Sequence, residues 1–157
     1  MLDSVTYSKG AILSFVKEYR FLSNFFPCVV IANDINFPSV EHYYQAMKTD
    51  EEAVQKRVAA TLNATDAKGF GQKIQQDEDL MRKDFHTHKL KIMTEGLLQK
   101  FEPNTLLAEK LLSTEGYLLI EGNYWHDNYW GVDFKTGIGE NKLGILLMRI
   151  REKLIQK

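Results

Sequence analysis

Residues 29–48 constrain the fold more tightly than any other segment of the chain. Val29-Val30-Ile31-Ala32 is mostly β-branched, Asn33-Asp34 is a turn signal, and Ile35-Asn36-Phe37 resumes the apolar pattern. That order predicts a short hairpin. Pro38 is expected to stop its second strand, because proline has no amide proton to donate. Ser39 then stands where an N-cap belongs, and SVEHYYQAMK reads as a helix.

The rest of the chain is read outward from there. Residues 11–16 (AILSFV) read as a first strand, and 19–27 (YRFLSNFFP) as an aromatic yet polar stretch closed by proline. Helices are expected over residues 51–61, and from Thr65 as a cap through Gly69 and Gly71, where each glycine costs about 1 kcal/mol. A long helix is expected from Asp77 as its cap to about Lys100, and another, after Pro103, from Asn104 or Thr105 to Leu112. Residues 117–120 (YLLI) read as a strand. Residues 121–139 mix Trp, Tyr, His, Asn, Asp and Gly without periodicity, and long irregular segments are often functional. Residues 141–155 form an amphipathic helix with Leu143, Leu146, Leu147, Ile150 and Leu154 as its apolar stripe. Nothing follows a βαβ rhythm. The expectation is an α+β fold, a mainly helical single domain over residues 1–157 with a few short strands.

Composition excludes several classes. A net charge of −1 provides no global basic field for nucleic acid. Cys28 is the only cysteine, so an internal disulfide is impossible. The first ten residues, MLDSVTYSKG, lack the pattern of a signal peptide, and no apolar run has the length of a membrane span. A reducing, cytoplasmic setting without a membrane partner is expected, in which the sequon Asn63-Ala64-Thr65 stays idle.

Helical spacing sorts the Ser39 helix into faces. Val40, Tyr43 and Met47 point to the core; Glu41, Gln45 and Lys48 cluster a quarter turn away with Tyr44 at the border; His42, Ala46 and Thr49 take the remaining side. Glu41 and Lys48 stand seven positions apart, roughly 10.5 Å along the axis. A carboxylate and an amine beside one ligand allow acid–base chemistry or nucleophilic attack by a deprotonated lysine. A solvated helix face explains the same spacing.

Two further constellations carry candidate ligands. Tyr124-Trp125-His126-Asp127-Asn128-Tyr129-Trp130-Gly131, followed by Asp133, Gly137 and Gly139, holds both tryptophans of the chain. Aromatic faces stack on nucleobases, and amides near Gly139 and Asn141, at the start of the last helix, suit a phosphate. A packed aromatic loop explains the segment equally well. The spacing matches neither a dinucleotide fingerprint nor a P-loop. In Tyr19-Arg20-Phe21-Leu22-Ser23-Asn24-Phe25, Arg20 can hold a phosphate bidentately, while Ser23 and Asn24 are hydrogen-bonders within an apolar run or simply turn formers. His86-x-His88 lacks further metal ligands, His42 and His126 stand isolated, and Cys28 reads as a buried residue. No serine elbow is present. The mixed charges from Lys68 to Lys91 read as solvated helix faces.

In this order, Phe21-Leu22-Ser23-Asn24-Phe25, the run from Pro38 to Lys48, Asp127-Asn128-Tyr129-Trp130-Gly131 and the run from Gly137 to Arg151 resemble the NADAR family, the YbiA-like proteins. The resemblance covers nearly the whole chain. It implies a YbiA-like fold and an N-glycosidase that removes ADP-ribose from guanine in nucleic acid or cleaves early riboflavin-pathway intermediates. It implies that Glu41 is the key carboxylate, that Lys48 forms a transient imine with ribose C1, and that Asp127, the third expected catalytic residue, lines the pocket with Trp130. Arg20, Ser23, Asn24, Tyr44, Gln45, Phe85, Gly131, Asp133, Gly139 and Asn141 complete the expected substrate site. Close bacterial relatives carry tryptophan in place of Phe85, which keeps a stacking face but loses the indole donor. The loop around Asp133 is also one residue longer than in those relatives.

An oxocarbenium-like state needs positive charge stabilised at C1 and help for the departing base. Glu41 and Lys48 can provide both without metal or cofactor, whereas no carboxylate pair of the usual glycosidase type is evident. The expected partner is a small nucleotide or an ADP-ribosylated nucleic acid. A non-catalytic ADP-ribose or nucleotide binder is the rival outside enzyme chemistry. Oligomeric state is left open.

Overall fold

The computed structural model describes residues 7–157, so most of the N-terminal stretch read for a leader lies outside the described residues. The elements run β1 (Gly10–Ile12), a 3-10 helix (Lys17–Leu22), β2 (Pro27–Ala32), β3 (Ile35–Ser39), α1 (Val40–Ala46), α2 (Glu52–Ala59), α3 (Ala64–Gln76) and α4 (Phe85–Lys100). They continue with α5 (Leu106–Leu112), β4 (Tyr117–Leu119), β5 (Gly122–Asn123), β6 (Val132–Asp133) and α6 (Lys142–Ile155). The mixed, mainly helical architecture agrees with the α+β expectation. The chain forms two compact units, Asn24–Lys100 and a second one from Met1–Ser23 and Phe101–Lys157. No helix of the described residues is long and apolar enough to cross a membrane.

In the Asn24–Lys100 unit, β2 and β3 form the expected antiparallel hairpin, with Val30 opposite Phe37 and Ala32 opposite Ile35. Asn33 and Asp34 both take positive φ, 52° and 59°, the conformation a tight two-residue hairpin requires. Pro38 does not stop β3, which continues to Ser39. The register is irregular between Pro27 and Val30, so Pro38 sits opposite a bulge where no ladder donor is needed. Ser39 caps α1 as expected, accepting from the His42 amide at 3.1 Å.

Helix α1 is shorter than its sequence pattern and has no solvated face. It ends at Ala46, and all seven of its residues are buried. Strands β2 and β3 and helices α2, α3 and α4 pack around it. Two expected caps move. Asn63, not Thr65, caps α3 by accepting from the Asp66 amide at 2.9 Å. Asp77 spends its side chain on the Asp79 and Leu80 amides, which makes a turn, and the long helix starts only at Phe85.

In the other unit, β1 pairs in parallel with β4 and is shorter than the expected strand, while β5 pairs in parallel with β6 inside the stretch that had no periodicity. The aromatic, polar segment before Ser23 is the 3-10 helix. Thr105 caps α5, accepting from the Ala108 amide. In α6, Leu143, Leu146, Leu147 and Ile150 are buried as expected, and Leu154 is half-buried. Arg151 is buried as well, its Nη1 donating to the Thr114 carbonyl at 2.6 Å.

Candidate active site

The first cluster is built on α1. The Glu41 amide is one of the early helical donors with no partner inside the helix. The backbone carbonyl of Asn24 accepts it at 3.1 Å, which ties the start of α1 to the Asn24 segment. The Asn24 side chain is buried and its Nδ2 lies 3.3 Å from Met93 Sδ. Glu41 is 7 % exposed, and its Oε1 accepts from Gln45 Nε2 at 2.7 Å, one helical turn on.

Lys48 lies in the turn that follows α1, not in the helix. Its amide donates to the Gln45 carbonyl at 3.3 Å, and its own carbonyl accepts from the Arg82 amide at 2.8 Å. Arg82 is itself held by Asp84, to which its Nε and Nη2 each donate at 3.1 Å. The Lys48 side chain is 6 % exposed. Its Nζ donates to Gln75 Oε1 at 3.0 Å and stands 5.9 Å from the Phe85 ring centre. Burial pushes its ammonium down to about 8; the negative charge of Glu41 opposes the shift and the positive charge of Lys68 adds to it. Tyr44 and Phe85 meet with ring centres 5.4 Å apart. Gln45, Lys48, Lys68, Gln72, Gln75 and Gln76 line a concavity of about 420 Å³.

The spacing argument missed the contribution of α3. Lys68, Gln72, Gln75 and Gln76 share one side of that helix, at intervals of four, seven and eight, and were read as a solvated face. Their amides and ammonium form the wall of the concavity. Arg82 also escaped notice and Gly71 stood out only as a cost to its helix, since neither a lone arginine nor a glycine inside a helix announces what it packs against.

The second cluster belongs to the other unit. Asp127 Oδ1 accepts from the amides of Tyr129 and Trp130 at 3.1 and 2.9 Å, and its own amide donates to Asn123 Oδ1 at 3.0 Å. The half-buried Trp130 ring packs edge-on against Tyr129, 4.8 Å between centres. Gly131 and Gly139 are places of close backbone approach. A methyl on Gly131 would lie 2.1 Å from the Glu121 carbonyl oxygen, and one on Gly139 would lie 2.2 Å from that of Gly131. Asp133 is buried and bonded to His126, which is therefore not the isolated residue expected. The His126 hydrogen bond, followed by the Lys135 amide, holds the Asp133 carboxyl below the usual range. Asn141, at φ 50°, braces β4 by donating to the Leu119 carbonyl and accepting from the Glu121 amide. Arg20 is exposed on the 3-10 helix, with Ser23 at that helix's end.

The expected site residues thus fall into two sets. Asn24, Glu41, Tyr44, Gln45, Lys48 and Phe85 lie in one compact unit. Arg20, Ser23, Asp127, Trp130, Gly131, Asp133, Gly139 and Asn141 lie in the other. Elsewhere, His88 bonds to Asp84 and the His86 ring packs on Phe85. Burial pushes the His42 imidazole down, against the bond to the Thr61 carbonyl. Cys28 is half-buried, and burial pushes its thiol up against the charge of Lys100.

Comparison with known proteins adds an independent line. The NADAR domain model matches residues 13–155. A riboflavin biosynthesis protein of Vibrio vulnificus (strain YJ016) is 36% identical over 138 residues, which are 88% of this chain and 36% of that protein. The chain therefore spans about a third of that relative's length. N-glycosidase YbiA of Escherichia coli (strain K12) is 32% identical over 137 residues, 87% of this chain and 82% of that protein. The NMR structure of the E. coli protein YbiA superposes with a TM-score of 0.76 at 31% identity, covering 92% of this chain and 83% of the other. With the family model spanning almost its full length and the fold of a YbiA structure reproduced, this chain belongs to the NADAR family.

Proposed function

We propose that the protein is an N-glycosidase, a hydrolase that breaks the bond between ribose C1 and a base, and that its substrate is ADP-ribosylated guanine in a nucleotide or nucleic acid. The observation that carries this reading is the burial of two ionisable groups, Glu41 and Lys48, about two turns apart on one segment, with Lys48 opening onto a polar concavity. Burying such groups costs stability, and buried ionisable groups concentrate at functional sites. The name of the similar E. coli protein, N-glycosidase YbiA, supports the reaction class.

The chemistry follows from the two side chains. As the bond from C1 to the base nitrogen breaks, positive charge spreads over C1 and the ring oxygen, and the base departs with its electron pair and takes up a proton. Glu41 stabilises the positive centre. Lys48, whose ammonium is pushed down to about 8, supplies a neutral amine fraction near neutral pH. Its nitrogen bonds to C1, loses a proton, and forms an imine as the ring C–O bond opens; water then adds and releases the sugar aldehyde and the free lysine. Stacking by Tyr44 completes the proposed substrate contacts within the Asn24–Lys100 unit. Asp127 orders the Trp130 segment. A cytoplasmic setting fits the single cysteine, Cys28.

A second reading, cleavage of aminopyrimidine ribose phosphates of riboflavin biosynthesis, is favoured by the name of the Vibrio relative. Side-by-side incubation with an ADP-ribosylated guanine oligonucleotide and with the aminopyrimidine ribose phosphate separates the two. Release of ADP-ribose alone supports the first reading and release of the aminopyrimidine alone supports the second. Calorimetric binding of ADP-ribose without turnover of either would replace both with a nucleotide binder.

A further inference from the structure

We propose that Gly71 and Gln45 act together as a positioning device for Glu41, an inference that rests on the reading of Glu41 as catalytic. Gln45 donates from Nε2 to Glu41 Oε1 at 2.7 Å, one helical turn apart, and is 5 % exposed. Its other amide atom, Oε1, is buried and has no hydrogen-bond partner among the described residues. A buried carbonyl without a donor lowers stability, so an apolar side chain of the same length would serve the fold better. The amide is therefore retained for the atom it does satisfy, the carboxylate.

Gly71 makes that arrangement possible. It lies on α3 and is buried. A methyl on Gly71 would lie 1.9 Å from Gln45 Oε1, 2.6 Å from its Cδ and 2.9 Å from its Cβ. Alanine is otherwise the better helix former, so local preference argues against glycine here. The clash falls chiefly on the end of a flexible side chain. Gly71→Ala is therefore expected to leave a folded protein in which the Gln45 amide has swung off Glu41. By contrast, Gly69 on the same helix has nothing within 4 Å of the equivalent position, and alanine there should change nothing.

The test has two arms. In 1H–15N spectra the Gln45 side-chain amide, assigned by its disappearance in Gln45→Met, is expected downfield of ordinary glutamine amides because it is bonded to a carboxylate. It should return to the ordinary position in Gly71→Ala but not in Gly69→Ala. An ordinary position in the unaltered protein, or no movement in Gly71→Ala, overturns the proposal whether or not the protein turns over substrate. In the kinetic arm, Gln45→Met and Gly71→Ala should each lower kcat between about ten- and a hundredfold with little change in KM. The Gln45→Met protein should melt no lower than the unaltered one. In a Glu41→Gln background neither change should lower kcat further. A raised KM with unchanged kcat would mean that Gln45 contacts substrate directly and would overturn the positioning role. If the unaltered protein cleaves neither substrate, the N-glycosidase reading fails, and the spectra still decide the Gly71–Gln45–Glu41 arrangement.

Discussion

Lys48 Nζ donates to Gln75 Oε1 at 3.0 Å, so the amine at the head of the proposed chemistry is held by a neutral amide rather than by a carboxylate. A neutral acceptor orients the amine without adding the full counter-charge that would raise its proton affinity. The depression to about 8 survives because burial outweighs the attraction of Glu41.

That depression has a sign that can be measured. The folded protein holds the Lys48 proton less tightly than the unfolded chain, whose lysine titrates near its ordinary 10.5. The charged amine therefore destabilises the fold fully below about pH 8, and the penalty fades between about 8 and 10.5. A drop of this size corresponds to on the order of 3 kcal/mol. Lys48→Met should unfold at a higher temperature than the unaltered protein at pH 7, with the gap closing by pH 10.5. An equal gap at both values would contradict a depressed lysine. The same titration should make kcat/KM climb with pH up to about 8 and then level.

Phe85 is 1 % exposed and packs on both Tyr44 and the Lys48 ammonium. Phe85→Ala should lower stability by about 3–5 kcal/mol in urea unfolding, as for other large-to-small changes in a filled core. Phe85→Trp keeps a stacking face and introduces an indole donor at that site. It should move the ratio of kcat/KM values toward the aminopyrimidine ribose phosphate. An unchanged ratio would show that this ring does not select the substrate.

Asp127 is committed to two backbone amides, those of Tyr129 and Trp130. Asn keeps an acceptor oxygen at that position and Ala does not. Asp127→Ala should therefore lose about 1–2 kcal/mol, while Asp127→Asn should retain most of both stability and turnover. Thermal melts and kinetics on the pair check this. Loss of turnover in the asparagine variant, with its melt intact, would instead assign the carboxylate a direct role in the reaction.

Local signals were legible and long-range ones were not. The Asn33-Asp34 hairpin, the Ser39 and Thr105 caps and the apolar stripe of α6 all rest on residues within a few positions of each other, and each formed as the sequence predicted. Asp77 looked like a cap because its side chain does bond the next amides, but Phe85 begins α4 only after a segment tied back to Lys48 through Arg82. Strands β1 and β4 were legible one by one, but their pairing joins opposite ends of the chain, and the two-residue strands β5 and β6 are too short to leave a periodic trace. At the site, spacing placed Glu41 and Gln45 on one face of α1 but could not distinguish a wet face from a buried one. Five elements pack around that helix, and their convergence is a tertiary property that no pattern within SVEHYYQAMK carries.

The central claim is that Lys48 attacks ribose C1 with Glu41 beside it. Its most direct test is mass spectrometry of protein treated with borohydride during turnover of ADP-ribosylated guanine oligonucleotide. The expected result is a reduced sugar adduct on the peptide containing Lys48, absent in Lys48→Ala and greatly weakened in Glu41→Gln. Full turnover by both variants with no adduct on any peptide would contradict the account.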